Sequence, residues 1–120
     1  MALPLTPFRT SCARILDGVY VIVVAGELDL HTVPQLEELL DTTLDATPTA
    51  VVVDLLELTF LDSTALALLV ASARRLRTRG GRLILATDSI ATRRIFEITG
   101  LGRELELTTS LKAAVEKVAA

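Results

Sequence analysis

The sequence contains few aromatic residues and a single cysteine, and both shortages limit what the protein can be. Aromatic residues make up 3% of the 120 residues, and tryptophan is absent. A core must therefore be built from aliphatic side chains, and stacking platforms for single-stranded nucleic acid are missing. Cys12 has no second cysteine with which to form an internal disulfide. Together with the lone histidine, His31, it is too little for a Cys/His metal site, and we expect no metal and no cofactor.

Strong charge and long apolar runs are also absent. The 12 basic and 15 acidic residues give a net charge of −3, which argues against a nucleic-acid partner. The longest apolar runs, residues 19–25 and 65–71, are far shorter than the ~20 residues that cross a bilayer. Residues 1–10 lack a basic region that leads into an apolar stretch, so we expect no secretory signal. These features predict a cytoplasmic protein without membrane insertion.

What the sequence does contain is an abundance of aliphatic residues in short, regularly interrupted segments. Hydrophobic residues make up 51% of the chain and charged residues 22%, which is typical of a globular domain. The length fits one domain, predicted over residues 1–120 with a core from about 8 to 118.

The order of these segments predicts an α/β fold. Predicted strands cover residues 8–16, 19–25, 50–54, 82–86 and 104–107, and the predicted helices begin near Thr32, at Asp62 or Ser63, after Asp88 and near Ser110. The order β-β-α-β-α-β-α-β-α indicates a mostly parallel central sheet with an N-terminal antiparallel strand and about four helices. The predicted helix caps are Thr32, in a capping box with Gln35, and Asp88; Ala91, Ile95 and Ile98 are predicted to face the core.

In sheets of this kind, functional residues collect in the loops at the carboxyl ends of the strands. Residues 26–32 and 54–64 are predicted to be two such loops, both acidic and rich in hydroxyl groups. Hydrolysis would need Ser63 as nucleophile, His31 as base and Asp29 or Asp54 as the orienting group. Because Ser63 lacks the Gly-x-Ser-x-Gly turn and no glycine-rich phosphate motif is present, we expect no enzyme.

Two ways of carrying a phosphoryl group remain. Asp54 could accept one as in a receiver domain, with Glu27 and Asp29 holding Mg²⁺, but the only lysines lie on the last predicted helix. Ser63 could accept phosphate at the start of the second helix, where the backbone N–H groups and the dipole favour an anion. The alternative is that Ser63 or Asp62 serves only as a helix N-cap.

Four segments together resemble a known family. They are residues 26–29 (GELD), 54–55 (DL), 60–64 (FLDST) and 96–101 (FEITGL), and the FLDST segment opens an apolar helix. This combination resembles the signature of bacterial anti-sigma factor antagonists, which are STAS-domain proteins. The resemblance covers roughly residues 8–118 and leaves no further domain.

The resemblance implies a non-enzymatic partner switch. In the family, an anti-sigma factor that is also an ATP-dependent serine kinase phosphorylates the serine after the motif aspartate, and a metal-dependent serine phosphatase reverses this. The unphosphorylated antagonist binds the anti-sigma factor and frees the sigma factor, which places the family in transcription regulation and stress response. Carried over to this chain, the phosphoacceptor is Ser63, and the partner-binding residues are Glu27, Asp29, Leu30, His31, Thr32, Phe60, Leu61, Asp62, Ser63, Thr64, Ala65 and Leu66.

The sequence departs from the family at Ala65, where glycine is usual. A methyl group there is expected to hinder close approach of a kinase or partner backbone. The second hypothesis is therefore a STAS module that binds constitutively, as a scaffold in a stress-signalling complex or as an accessory subunit of lipid transport, without phosphorylation.

Overall fold

The computed structural model describes residues 6–119, and its elements follow the predicted order. The strands are β1 (Arg9–Leu16), β2 (Val19–Leu28), β3 (Ala50–Leu61), β4 (Arg82–Ala86) and β5 (Glu106–Thr108). The α-helices are α1 (Val33–Asp45), α2 (Ser63–Thr78), α3 (Ile90–Thr99) and α4 (Leu111–Ala119), and a short 3-10 helix, Leu101–Arg103, follows α3. The outermost bounds of the predicted domain, and part of the segment that was expected not to be a secretory signal, lie outside the described residues.

The sheet has the predicted mixed topology. Its strand order is β1-β2-β3-β4-β5, with β1 antiparallel to β2 and the other neighbouring pairs parallel. Alternate residues of the central strands enter two apolar layers. Val51 and Val53 of β3 pack with α1, α2 and Phe96 of α3, whereas Val52 packs on the opposite face with Ala114 of α4. The predicted α/β architecture is therefore confirmed. None of the helices within residues 6–119 combines the length and the apolar character that a membrane span requires.

The two segments predicted as loops are strand in part, and this is a correction: residues 26–28 belong to β2 and residues 54–61 to β3. Pairing between β2 and β3 continues beyond Ala25 and Asp54 to Leu28 and Leu61. β3 needs 12 residues to follow the 10 of β2, because the register shifts twice along the pair. Each shift is a β-bulge, which bends the strand and redirects the side chains beyond it. The extension places the ends of both strands next to the start of α2.

Gly26 allows the N-terminal segment to cross this extension closely. Its φ is +88°, and a Cβ atom there would lie 2.9 Å from the Cα of Phe8. A side chain at this position would therefore collide with backbone, and Phe8, which packs against the core, would be displaced.

Two predicted helix caps differ from the observed ones. Thr32 stands at the N-cap of α1, but its hydroxyl makes no cap hydrogen bond and donates instead to the carbonyl oxygen of Glu27, at 2.8 Å. α3 is capped by Ser89, whose hydroxyl accepts from the amide of Thr92, and not by Asp88. For α2 the sequence left both Asp62 and Ser63 open as the N-cap, and the observed cap is Asp62.

The orientation of α3 also corrects the prediction. Phe96 is fully buried, and Ile95 is partly buried. Ala91 is exposed, and Ile98 is 83% exposed. The phenyl ring has the largest apolar area on this short helix, so its burial decides which face turns inward.

Candidate functional site

The ends of β2 and β3 and the first turn of α2 form one surface, which we call the β2–β3 tip. It carries nine of the predicted partner-binding residues as exposed or partly exposed side chains: Glu27, Asp29, Leu30, His31, Thr32, Phe60, Asp62, Ser63 and Thr64. The structure therefore brings the two predicted segments together, although they are about 30 residues apart in the sequence.

Asp62 connects the two halves of this tip. One carboxylate oxygen accepts the amide of Ala65, at 3.0 Å, and caps α2. The other accepts the amide of Leu30, at 3.1 Å, and the Asp62 amide donates to the carbonyl of Leu28, at 3.2 Å. A single side chain thus fixes the start of the helix against the turn that follows β2.

Ser63 and Thr64 occupy the first turn of α2, directly after this cap. Both side chains are exposed. Within residues 6–119, neither hydroxyl forms a hydrogen bond with another residue. Backbone N–H groups in a first helical turn have no intrahelical acceptor, and the helix dipole adds positive potential there. The surroundings of Ser63 can therefore accommodate an anion.

Asp29 and Thr32 stabilise the turn after β2. The Asp29 carboxylate accepts the amides of His31 and Thr32, at 2.9 and 3.2 Å, and the Thr32 hydroxyl accepts the amide of Asp29, at 2.9 Å. Partial loss of solvent raises the pKa of Asp29, but the hydrogen bonds from His31 and Thr32 outweigh this effect and hold it below its usual range. The carboxylate is consequently charged at neutral pH and contributes negative potential to the tip.

Two large apolar side chains at the tip are turned to solvent. Leu30 is 66% exposed and Phe60 is 51% exposed. Phe60 pairs with Glu27 immediately after the second bulge of β3, and bulges commonly redirect side chains in this way. Exposed aromatic and aliphatic groups next to carboxylates and hydroxyls are the features of a protein-docking surface.

Three of the residues predicted to bind a partner are in the core instead. Leu61, Ala65 and Leu66 are 6%, 0% and 4% exposed. They hold the tip in place from beneath and offer no surface to another protein. The burial of Ala65 also bears on its departure from glycine, because its methyl group fills core space and does not project beside Ser63.

The structure does not bring together the residues that a receiver-like phosphoacceptor site, a hydrolase site or a metal site would need, within residues 6–119. Asp54 lies within β3 and not at a strand end, and its carboxylate accepts the Leu56 amide, at 3.0 Å, where the first bulge interrupts pairing. No hydrogen bond joins His31 to Ser63 in the part of the chain that the structure describes. Over the same residues, no three His, Cys, Asp or Glu side chains form a possible metal site.

Sequence reasoning missed one part of this surface. An open groove of about 370 Å³ runs beside the tip and is lined by Thr6, Phe8, Glu27, Asp29, His31, Thr32 and Thr59. The signal that could have revealed it is the glycine at position 26, since a glycine inside a strand indicates close approach of another backbone.

Comparisons with known proteins agree with this geometry. The STAS domain family model matches residues 12–114. The anti-sigma-B factor antagonist of Listeria monocytogenes is 37% identical over 86 residues, covering 72% of this chain and 75% of that protein. The crystal structure of an anti-sigma factor antagonist from Mycobacterium paratuberculosis superposes with a TM-score of 0.86 at 32% identity, covering 95% of this chain and 96% of that one. The phosphorylated form of the Bacillus cell fate determinant SpoIIAA has a TM-score of 0.73 at 27% identity, covering 92% and 99% of the two chains. The chain therefore belongs to the STAS domain family and, within it, to the anti-sigma factor antagonists.

Proposed function

We propose that this chain binds a kinase-type anti-sigma factor through the β2–β3 tip and is released when Ser63 is phosphorylated. The observation that carries the proposal is the division of roles between Asp62 and Ser63. Asp62 supplies the helix cap, which leaves the exposed Ser63 hydroxyl free of that structural task. Phosphorylation of Ser63 would therefore add charge without removing a hydrogen bond that holds α2.

The added charge would act mainly on the partner. A phosphoserine carries about −1.5 to −2 charges at neutral pH. At the start of α2 this charge is tolerated, because free N–H groups and the helix dipole favour anions. Beside Asp29 and Asp62, however, it makes the tip strongly negative, and a partner that had covered Leu30 and Phe60 would be repelled.

The partners follow from the family resemblance. The kinase would be an ATP-dependent anti-sigma factor, and a metal-dependent serine phosphatase would restore the binding form. Once this chain is phosphorylated and dissociates, the anti-sigma factor would be free to bind its sigma factor. The buried methyl of Ala65 removes the steric objection to a kinase at Ser63, because Ala65 has no exposed surface.

The test is to incubate the chain with ATP, Mg²⁺ and each kinase-type anti-sigma factor encoded in the same genome, followed by intact-mass spectrometry and peptide mapping. One kinase is expected to add one phosphate to the wild type and to Thr64→Ala, and none to Ser63→Ala. Thr64 is a matched control, because it carries an exposed hydroxyl group one residue further along α2.

Binding to that kinase is then measured with Ser63→Ala and Ser63→Asp. We expect Ser63→Ala to bind persistently and Ser63→Asp to bind about 100-fold more weakly, as is typical when like charges meet in an interface. Equal affinities, or a stable complex in which Ser63 is never modified, would contradict the switch and favour the constitutive STAS module.

A further inference from the structure

β1 is an edge strand of the sheet, and its outer edge has no neighbouring strand within the described residues. It is the first strand in the sheet order and pairs only with β2 in the described residues. Of its eight residues all but Thr10 are exposed, including Ile15 at 39% and Leu16 at 45%. An edge strand of this length presents unpaired N–H and C=O groups on which another strand can add.

An open groove of about 340 Å³ lies alongside this edge, between β1 and α1. It is lined by Thr10 of β1 and by one stripe of α1, which consists of Gln35, Glu38, Leu39 and Thr42. Glu38 forms no salt bridge within residues 6–119, and neither does Arg14 on the same strand as Thr10. The edge thus offers an unpaired carboxylate and an unpaired guanidinium.

Three residues of β1 face the α1 side of the sheet. Thr10 lines the groove, and the Cys12 sulfur lies 3.5 Å from the Thr43 hydroxyl of α1. Arg14 shares this face, because side chains alternate along a strand, and it lies near the end of α1 beside Ala46. Regular pairing with β2 stops after Arg14, where the register shifts at Ile15.

Two copies of such a strand can pair antiparallel around a two-fold axis. The residue beside the axis then lies opposite the same residue of the second copy. If Cys12 is on the axis, Thr10 lies opposite Arg14 of the second copy, on the α1 face. Arg14 of each copy then enters the groove that Glu38 of the other copy lines. If Ser11 were at the axis, Arg14 of one copy would lie opposite Phe8 of the other. If Ala13 were at the axis, Leu16 would lie opposite Thr10. Neither register brings Arg14 to Thr10.

We propose that a second copy of this chain pairs its β1 antiparallel with β1 of the first, with Cys12 opposite Cys12 and with Arg14 of each copy facing Glu38 of the other. The two charge contacts are equivalent by symmetry.

Site-specific cross-linking tests the register. Opposite residues of an antiparallel pair have Cα atoms about 4.5–5.5 Å apart, within disulfide range. Treatment with diamide should link Cys12 across the axis at least about tenfold faster than a cysteine at a neighbouring position, because pairing raises the effective thiol concentration. The matched controls are Cys12→Ser/Ser11→Cys and Cys12→Ser/Ala13→Cys, whose cysteines would lie about 7–8 Å from their own copies.

Charge exchange tests the contact between Arg14 and Glu38, with the dimer dissociation constant measured by sedimentation without oxidant. Arg14→Glu and Glu38→Arg should each weaken the dimer about fivefold or more, since each breaks two pairs, and the double variant should restore it. A chain that stays monomeric to its solubility limit would overturn the proposal and leave the edge for a strand of another protein. Equal cross-linking at positions 11, 12 and 13, or a double variant no better than the single ones, would overturn it as well.

Discussion

The two ends of α2 differ in how they use their polar side chains. At the β2–β3 tip, Asp62 caps the helix start, and the side chains of Ser63 and Thr64 are exposed. At the other end, the arginine side chains are bound to neighbouring elements. Arg74 forms a bidentate pair with Glu104, Arg75 pairs with Asp41, Arg77 donates to the Glu104 carbonyl, and Arg79 donates to the Leu44 carbonyl.

Within one 16-residue helix, the polar side chains at one end are exposed and those at the other end are bound to neighbouring elements. The arginines are stabilised by the negative end of the helix dipole, and their hydrogen bonds hold α2 against α1 and against the segment before β5. The tip is left with exposed hydroxyl and apolar groups on a firmly held backbone. Substitutions of the exposed tip residues that hold no part of the fold should therefore change affinity more than stability, whereas substitutions at the arginine-rich end should change stability alone.

Among substitutions that add no charge at the tip, the largest effect is expected from Phe60→Ala. Loss of the ring should weaken binding to the anti-sigma factor by roughly 2 kcal/mol, about 30-fold, since exposed aromatic residues are frequent energetic centres of interfaces. Stability in urea should change little, because the ring is half exposed. The matched control is Arg74→Gln at the other end of α2, which should leave affinity unchanged; an equal loss of affinity in both variants would contradict the comparison.

Asp62→Ala is expected to have the next largest effect, and it acts on stability as well as binding. It removes the cap of α2 and the acceptor for the Leu30 amide. The free energy of unfolding should fall by about 1–2 kcal/mol, measured by urea denaturation. Asp62→Asn is the control, because asparagine is an equally good cap. Its amide oxygen can still accept the Ala65 amide, whereas its amide nitrogen cannot accept the Leu30 amide, so the control separates the cap from the second hydrogen bond. If Asp62→Ala were as stable as the wild type, the tip would not depend on this carboxylate.

The architecture could be predicted from the sequence because its signals are local and agree with one another. Alternating aliphatic strands and helices led to the correct mixed sheet. The start of the apolar helix left two candidates for its N-cap, Asp62 and Ser63, and the structure has Asp62. The predicted strand over residues 104–107 was displaced, since β5 is Glu106–Thr108. Boundaries of short strands depend on their neighbours in the sheet, and the sequence alone does not reveal those neighbours.

The details that were wrong depend on tertiary contacts. Residues 54–64 are acidic and rich in hydroxyl groups and were predicted to be a loop, but pairing with β2, interrupted by two bulges, keeps residues 54–61 in the sheet. The spacing of Ala91, Ile95 and Ile98 fits a helix face, yet burial of Phe96 rotates the helix away from it. Leu61, Ala65 and Leu66 belong to a motif that was expected to bind a partner, and only the fold shows that they point inward.

The smallest effect is expected from Glu106→Gln in β5, whose side chain lies near the arginine-rich end of α2. Arg82 binds the Glu106 carboxylate and holds its pKa below the usual range, and Lys117 adds to this effect at 3.6 Å. Because the folded pKa is lowered, the ion pair stabilises the fold above the ordinary pKa of glutamate. This contribution is lost as the pH falls from that value through the lowered one.

The side chains of Arg82 and Glu106 are 42% and 35% exposed. Solvent screening should therefore keep the contribution of this ion pair to stability below about 1 kcal/mol. The difference in unfolding free energy between the wild type and Glu106→Gln should therefore be small at neutral pH and vanish in acid. Urea titrations from neutral pH into the acid range measure it, with Glu116→Gln, an exposed glutamate on α4, as the control. Affinity for the anti-sigma factor should not follow this pH dependence, since Glu106 lies outside the β2–β3 tip. A parallel fall in affinity of the wild type, absent from Glu106→Gln, would show that the two ends of the molecule are coupled.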